Sequence, residues 1–326
     1  MSDVARLAGV SHQTVSRVIN NHAAVRPETR DRVLAAIAQL GYRPNRAARA
    51  LVTHRSGMIG VISVASELYG PTATLVALEQ AARQHGYYVS VATLREVTEA
   101  ELTAATEHLL AHRVEGVVVI APIAGVAEVL NPLVGEVPLV MIAAEAPDDR
   151  SYQTISVNQR AGAREATEHL LELGHRAVAH VAGPQHWLDA RARVAGWRDA
   201  LDAAGAPGQL IEADWDAATG FRVGQELVAA GGIPTAIFAA NDQLAMGLLR
   251  AFHEAGVVVG RDVSVVGFDD FNGAAQLIPP LTTVRQDFTA LGQRTVEMLL
   301  AAIGGTAVQV APVAPQLQVR ASTGPA

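Results

Sequence analysis

From residue 58 onward the chain alternates short apolar runs with longer amphipathic ones, and few architectures accept that alternation. The runs at 58–64, 88–93, 116–120 and 139–142 read as buried strands, with helices at 72–84, 98–111 and 125–134 between them. A second series places strands near 177–181, 209–212, 236–239 and 264–268 and helices about 158–173, 191–204, 217–230 and 242–255. Continuously apolar strands joined through helices imply parallel sheets covered on both faces. Two similar α/β lobes are therefore expected. A further helix spans 287–303 and a last strand lies about 316–320.

The first residues follow a different rule. Within 3–20, Ala5 and Ala8 are small enough to let a second helix cross closely, Gly9 can adopt the left-handed conformation that ends a helix, and Ser11 can cap the next one. Val10, Val15 and Val18 would pin the second helix to the first. The outward side then carries Ser11, His12, Gln13, Thr14, Ser16, Arg17 and Asn20, side chains that hydrogen-bond base edges and phosphates in a major groove. This is the pattern of a helix-turn-helix. Ser2 is the only N-cap available to the first helix. A third helix is expected about 27–40, with Pro27 near its start, Gly41 at its end, and Val33, Leu34, Ile37 and Leu40 as its inner stripe.

Charge separates the same two regions. Residues 1–57 hold nine Arg against Asp3, Glu28 and Asp31, a balance of +6 that leaves −13 for the rest of a chain whose total is −7. A small basic head on a large acidic body suits phosphate attraction, with the body repelled from the duplex. All 25 basic residues are arginine, and because the acidic body shares that usage it reflects codon composition before phosphate recognition. The length of 326 residues suits two or three domains. No apolar run reaches the ~18 residues of a membrane span and the N-terminus is a charged helix rather than a signal peptide, so no membrane partner and a cytoplasmic location are expected. The absence of cysteine excludes disulfides, thiolate catalysis and cysteine-bound metal.

The helix-turn-helix, the third helix ending in Leu40-Gly41-Tyr42 and the Pro44-Asn45 junction together resemble the LacI/GalR family of ligand-responsive transcription regulators. The resemblance continues through Ile233-Pro234-Thr235-Ala236, Ala240-Asn241-Asp242-Gln243, the run 262–270 ending in Asp269-Asp270, Ile278-Pro279-Pro280-Leu281-Thr282-Thr283 and Gln286-Asp287-Phe288. It implies an all-α helix-turn-helix head at 1–43, a hinge helix and linker at 44–57, and an effector-binding and dimerisation body at 58–326 that is two-lobed and periplasmic-binding-protein-like, with two doubly wound parallel sheets. The helix at 287–303 would return to the first lobe. The first lobe then takes about 58–157 and 287–316, the second about 158–286 and 317–323, with a cleft between them. Asn45 would cap a hinge helix too short to hold alone. Leu51, flanked by Arg46 and Arg49, matches a wedge that enters the minor groove beside its mate from a second subunit. Family members usually begin a few residues earlier. No heptad repeat follows the last strand, so a dimer is expected rather than a tetramer.

Polar residues cluster where strands end at the expected cleft, the place where doubly wound sheets take ligands. Arg193, Trp215, Asn241, Asp269, Gln286 and Phe288 supply what a sugar site needs, a planar aromatic for a pyranose face and bidentate partners for its hydroxyls. By resemblance, Arg193, Asn241 and Asp269 match hydroxyl ligands, Trp215 the stacking aromatic, and Gln286 and Phe288 the cleft wall. Glu145 stands where a sugar-responsive relative has Asp, and Trp187 and Asp189 where it has Ser, so a different glycoside is implied. Tyr69 would line the first-lobe side. Asn241 and Asp269 also read as helix caps, and Trp215 as a core residue. The resemblance implies a repressor that binds a palindromic double-stranded operator as a homodimer and is released by a small sugar or glycoside.

Two rivals belong to other classes. An enzyme would use Asp269-Asp270 as paired carboxylates. The chain has no Gly-x-Ser-x-Gly elbow, phosphate loop or Gly-x-Gly-x-x-Gly, and His108 and His112 share a helix face without the Glu of a zinc protease. No catalytic activity, cofactor or metal is expected. A secreted sugar-binding protein fits the body, and the basic head argues against it.

Overall fold

The structure, a computed structural model, describes residues 1–19, 25–42, 55–64, 68–95, 97–120, 122–126, 130, 135–144 and 152–326. The chain divides into two compact units, Met1–Gly57 and Met58–Ala326.

The first unit contains α1 (Ser2–Ala8), α2 (His12–Ile19) and α3 (Pro27–Gln39). Gly9 sits at φ 62°, a left-handed turn that costs a residue without Cβ nothing extra. The Ser11 hydroxyl accepts the Thr14 N–H at 3.1 Å and so caps α2. Val4, Ala5, Ala8, Val15, Val18, Val33 and Ala36 form the core. Two details differ from the expected pattern. Met1 rather than Ser2 holds the cap position of α1, with no side-chain bond. On α3 the buried pair is Val33 and Ala36, while Leu34 and Leu40 are 49% and 45% exposed. A helix with neighbours on one side buries only a narrow i, i+3, i+4 stripe, here Val33, Ala36 and Ile37.

The body begins with β1 (Met58–Val64), α4 (Tyr69–Gln84), β2 (Tyr88–Leu94), α5 (Glu99–Ala111), β3 (Gly116–Ile120), β4 (Leu139–Ile142) and β5 (Gln153–Ile155). These strands form a parallel sheet in the order β2-β1-β3-β4-β5. The second lobe holds α6 (Gln159–Glu172), β6 (Val178–Ala182), α7 (Leu188–Ala204), β7 (Gly208–Glu212), α8 (Ala217–Ala229), β8 (Ala236–Ala239), α9 (Asp242–Glu254), β9 (Ser264–Asp269) and β10 (Thr282–Arg285). Helix α10 (Phe288–Ile303) then packs in the first lobe, where Leu291, Val296 and Leu299 meet Ile59, Val61 and Leu78. The chain finally adds β11 (Gln316–Gln318) to the second sheet, ordered β11-β10-β9-β8-β6-β7 and parallel except for β10 with β11. Both sheets are doubly wound, as the alternation of runs predicts.

Strands β5 and β10 are not evident in the sequence because they are short and polar, Gln-Thr-Ile and Thr-Thr-Val-Arg. Of the helix expected at 125–134, most lies outside the described residues. Side-chain caps start most of the body's helices: Thr98, Asn158, Asp216, Asn241 and Asp287 each accept the backbone N–H three residues on, at 2.7 to 3.3 Å. Helix α7 has no such cap; Trp187 precedes it in extended conformation. These strand-to-helix turns carry the polar residues to the sheet edge that faces the other lobe.

Candidate functional site

A cavity lies between the two lobes, and its halves differ in chemistry. The first lobe contributes mainly apolar atoms, from Ile120, Ile142 and Ala143 at strand ends, Pro71 of α4, and Phe288 and Leu291 of α10. The second contributes Gln159, Asp189, Arg193, Asn241, Asp269 and Gln286 with the rings of Trp187 and Trp215. The space between them, mouth included, is about 640 Å³.

Four buried side chains of the second lobe close a ring. Arg193 Nε donates to Gln159 Oε1 at 2.9 Å, Gln159 Nε2 to Gln286 Oε1 at 2.8 Å, and Gln286 Nε2 to Asp269 Oδ1 at 2.6 Å. Arg193 Nη2 lies 3.7 Å from the same Asp269 oxygen. Arg193 also donates through Nη1 to the Ala240 carbonyl, and its guanidinium covers the Phe268 ring at 3.9 Å from the centroid. Each member holds the next in one rotamer, so the polar face is set before any ligand arrives. In the sequence Gln159 carries one signal only, its place directly after the cap Asn158.

Burial dominates the electrostatics. It raises Asp269 to about 6, against the opposing pull of Arg193 and the Gln286 hydrogen bond. Asp189 is also raised by burial. Behind them Asp242, 1% exposed, is raised well above the usual carboxylate range, first by burial and then by the Asp269 charge. Its carboxyl accepts the Thr283 hydroxyl at 2.5 Å and the Phe271 N–H at 2.9 Å, a structural role that ties β10 to the turn after β9.

Trp215 serves core and cavity together. It belongs to the second-lobe core and is 7% exposed, yet it lines the cavity, with Trp187 edge-on at 5.7 Å between centroids. Its ring covers Gly183 so closely that a Cβ there would stand 2.4 Å from the indole. Asn241 likewise does two jobs: its Oδ1 caps α9 at Leu244 N–H, its Nδ2 donates to the Trp215 carbonyl at 2.9 Å, and the residue lines the cavity. Asp269 makes no helix cap. It sits at φ 111°, outside the range that non-glycine residues ordinarily adopt, at a site where strain is held by the surrounding ring.

Tyr69 does not line the cavity. It lies in the neighbouring groove, edge-on to Phe271 at 6.4 Å and Phe288 at 5.8 Å. Helix α4 starts at Tyr69 itself, three residues earlier than expected, which turns the ring toward that groove. Asp270 is not half of a free carboxylate pair, because Arg285 Nε at 2.7 Å and Arg320 Nη2 at 2.6 Å hold its two oxygens. His108 and His112 are exposed with ring centroids 4.5 Å apart, and among the described residues no group of three or more side chains could hold a metal ion. No helix among them is long and apolar enough to cross a membrane.

In the head, Ser11, His12, Gln13 and Arg17 are exposed, and Thr14 and Ser16 half-buried, all on or beside α2. Asn20, Asn45, Leu51 and Glu145 lie outside the described residues, as does the expected hinge helix.

A model of bacterial regulatory proteins of the lacI family matches residues 1–45, and one of the periplasmic binding protein-like domain matches residues 167–323. The chain is 38% identical to the lactose operon repressor of Escherichia coli (strain K12) over 98% of its own length and 89% of that protein's. It is 32% identical to the ribose operon repressor of the same organism, covering 92% of each. Among solved structures, the lac repressor dimer bound to operator and the anti-inducer ONPF superposes with a TM-score of 0.87 at 38% identity, over 99% of this chain and 98% of that one. A complex of the transcriptional regulator CelR with cellobiose gives 0.73 at 30% identity, over 98% of both.

Proposed function

Since the chain belongs to the LacI family of bacterial regulatory proteins, we propose that it is a transcriptional repressor that binds a palindromic operator as a homodimer and releases it when a small sugar or glycoside enters the interlobe cavity. The observation that carries the effector half is the ring of Arg193, Gln159, Gln286 and Asp269 facing an apolar wall from the other lobe. Alternating donors and acceptors beside Trp215 match the hydroxyls and apolar face of a sugar ring. A ligand held by one lobe and covered by the other favours the closed arrangement of the pair.

The working parts fall to Ser11, His12, Gln13, Thr14, Ser16, Arg17 and Asn20 for the major groove and to Asn45 and Leu51 for a hinge at 44–57. Arg193, Asn241, Asp269, Gln286, Trp215, Trp187, Asp189 and Phe288 take the effector, with Gln159 added. The relatives are repressors and not enzymes, and this chain is read as one that catalyses nothing and acts on DNA in the cytoplasm. The test is an operator selected from random duplex DNA and titrated with sugars. Release by a sugar supports the reading, and turnover of that sugar would overturn it.

A further inference from the structure

The turn that follows β9 is strained at two consecutive residues. Asp269 stands at φ 111° and Asp270 at φ 51°, both on the side of backbone space that residues with a Cβ avoid. Aspartate tolerates this better than most side chains, but as a single residue, so two in a row need support from outside the turn. Their carboxylates point to different spaces. Asp269 lines the interlobe cavity, whereas Asp270 lines the neighbouring groove, where two segments grip it. Arg285, which pairs with Asp269 in the ladder of β9 and β10, donates from Nε to Asp270 Oδ2 at 2.7 Å. Arg320, beyond β11, donates from Nη2 to Oδ1 at 2.6 Å. Arg320 is itself fixed, its Nη1 donating to the Leu281 carbonyl at 2.6 Å and its backbone N–H to the Thr282 hydroxyl at 2.9 Å. The side chains of Asp270 and Arg320 are 7% and 18% exposed, so salt screens this contact little. One residue further on, the Phe271 N–H donates to Asp242 at 2.9 Å. The turn is thus pinned at 270 and 271 on the side away from the cavity.

We propose that Asp270 is a positioning residue for the effector site: held by Arg285 and Arg320, it keeps the turn in the strained conformation that aims Asp269 at the bound molecule. This rests on the reading of Asp269 as a hydroxyl acceptor. Returning the φ of Asp269 to negative values would swing its carboxylate away from Gln286 and Arg193, and the clamped neighbour opposes that rotation. Inside the cavity the restraint is one Gln286 amide on one Asp269 oxygen. Two arginines on one carboxylate hold more firmly, because both partners are charged. An ion triplet outside the cavity thereby sets affinity within it, without touching the sugar.

The test uses the full chain. Titration calorimetry with D-galactose, D-glucose, D-ribose, lactose and cellobiose identifies the sugar that binds most tightly. Affinity for it is then measured in the variants by calorimetry and by the fluorescence of Trp187 and Trp215, which line the cavity. Asp270→Ala removes the clamp and should bind at least about tenfold more weakly. Asp270→Asn tolerates the left-handed region and still accepts from one arginine, so it should stay within about threefold of wild type. Asp269→Asn should itself weaken binding, and adding Asp270→Ala to it should cost less than about twofold more, because the group being positioned is already impaired. A role confined to stability gives another pattern. A lowered melting temperature in Asp270→Ala with wild-type affinity, or a loss that persists undiminished in the Asp269→Asn background, overturns the proposal. If Asp270→Ala does not fold, Arg320→Gln decides in its place: a loss of about threefold or more is expected, and wild-type affinity overturns the positioning. Asp269→Asn keeps the two claims apart. If it weakens binding while the Asp270 and Arg320 variants do not, only the positioning falls; if it binds as wild type, or if no sugar binds the wild type, the acceptor reading falls and the positioning with it.

Discussion

Arg193 and Asp269 approach within 3.7 Å but do not clamp each other, because Gln159 and Gln286 complete the circuit between them. A direct bidentate pair would be stronger and self-sufficient. Joined through two amides, the guanidinium and the carboxylate are fixed in place without being consumed by one another. A buried charge pair with such support is better explained by what it binds than by what it adds to stability.

Effector affinity should depend on pH through Asp269. Burial raises its carboxyl to about 6, so between the unfolded value near 3.8 and pH 6 the folded protein holds the extra proton. Stability attributable to this group therefore falls as pH rises through that window, by up to about 3 kcal/mol, and Asp269→Asn should raise the neutral-pH melting temperature. Sugar hydroxyls favour the ionised acceptor. Sugar affinity is expected to weaken below pH 6 by up to about tenfold per unit, and calorimetry between pH 5 and 8 measures it. A flat profile contradicts the assignment of Asp269 as a hydroxyl acceptor.

His180 should set a limit on acid tolerance. It is fully buried on β6, its ring stacked on Phe238 at 4.4 Å, with Nδ1 at 2.9 Å from the Phe238 carbonyl, and burial lowers it to about 3. Unfolding lets it take up a proton, so its stability contribution is complete above the ordinary value of 6.5 and is lost as pH falls toward 3. His180→Leu is expected to lower the midpoint of acid unfolding by about half a pH unit, read by circular dichroism.

Trp215 can be disturbed without being replaced. A methyl group at Gly183 would meet its indole at 2.4 Å, closer than any real contact, and must push the ring toward the cavity. Gly183→Ala should thus weaken sugar binding at least about tenfold and cost about 1–3 kcal/mol of body stability, while operator affinity without sugar stays near wild type.

The parts most legible in the sequence were those governed by period and by caps. The alternation of apolar runs sufficed for two doubly wound sheets, and Asn241 and Asp269 could be located because each closes a buried strand. What escaped depends on neighbours distant in sequence. Gln159 becomes a site residue only because Gln286, 127 positions on, accepts its amide. Tyr69 turned away because α4 begins with it, and helix starts without a side-chain cap leave no mark in the sequence. Leu34 and Leu40 fitted the apolar period of α3, but a three-helix head has too little surface to bury them.

The head should bind DNA electrostatically and read bases separately. Log affinity for the selected operator is expected to fall with log salt at roughly −0.9 per neutralised phosphate. Arg17, exposed on α2, should cost about 1 to 3 kcal/mol when changed to Ala if it reads a guanine bidentately, with relaxed base preference. Equal loss on every sequence would make it a phosphate contact instead.

If the interlobe cavity controls the operator-binding head, titrating the operator complex with sugar will show it. Fluorescence anisotropy of labelled operator bound to the full chain is followed while the tightest-binding sugar is added, for the wild type and for Arg193→Ala. Wild type should release the DNA, and the variant, equally tight on operator without sugar, should stay bound across the same range. A variant that releases its operator at the wild-type sugar concentration would rule out control of the head through this cavity.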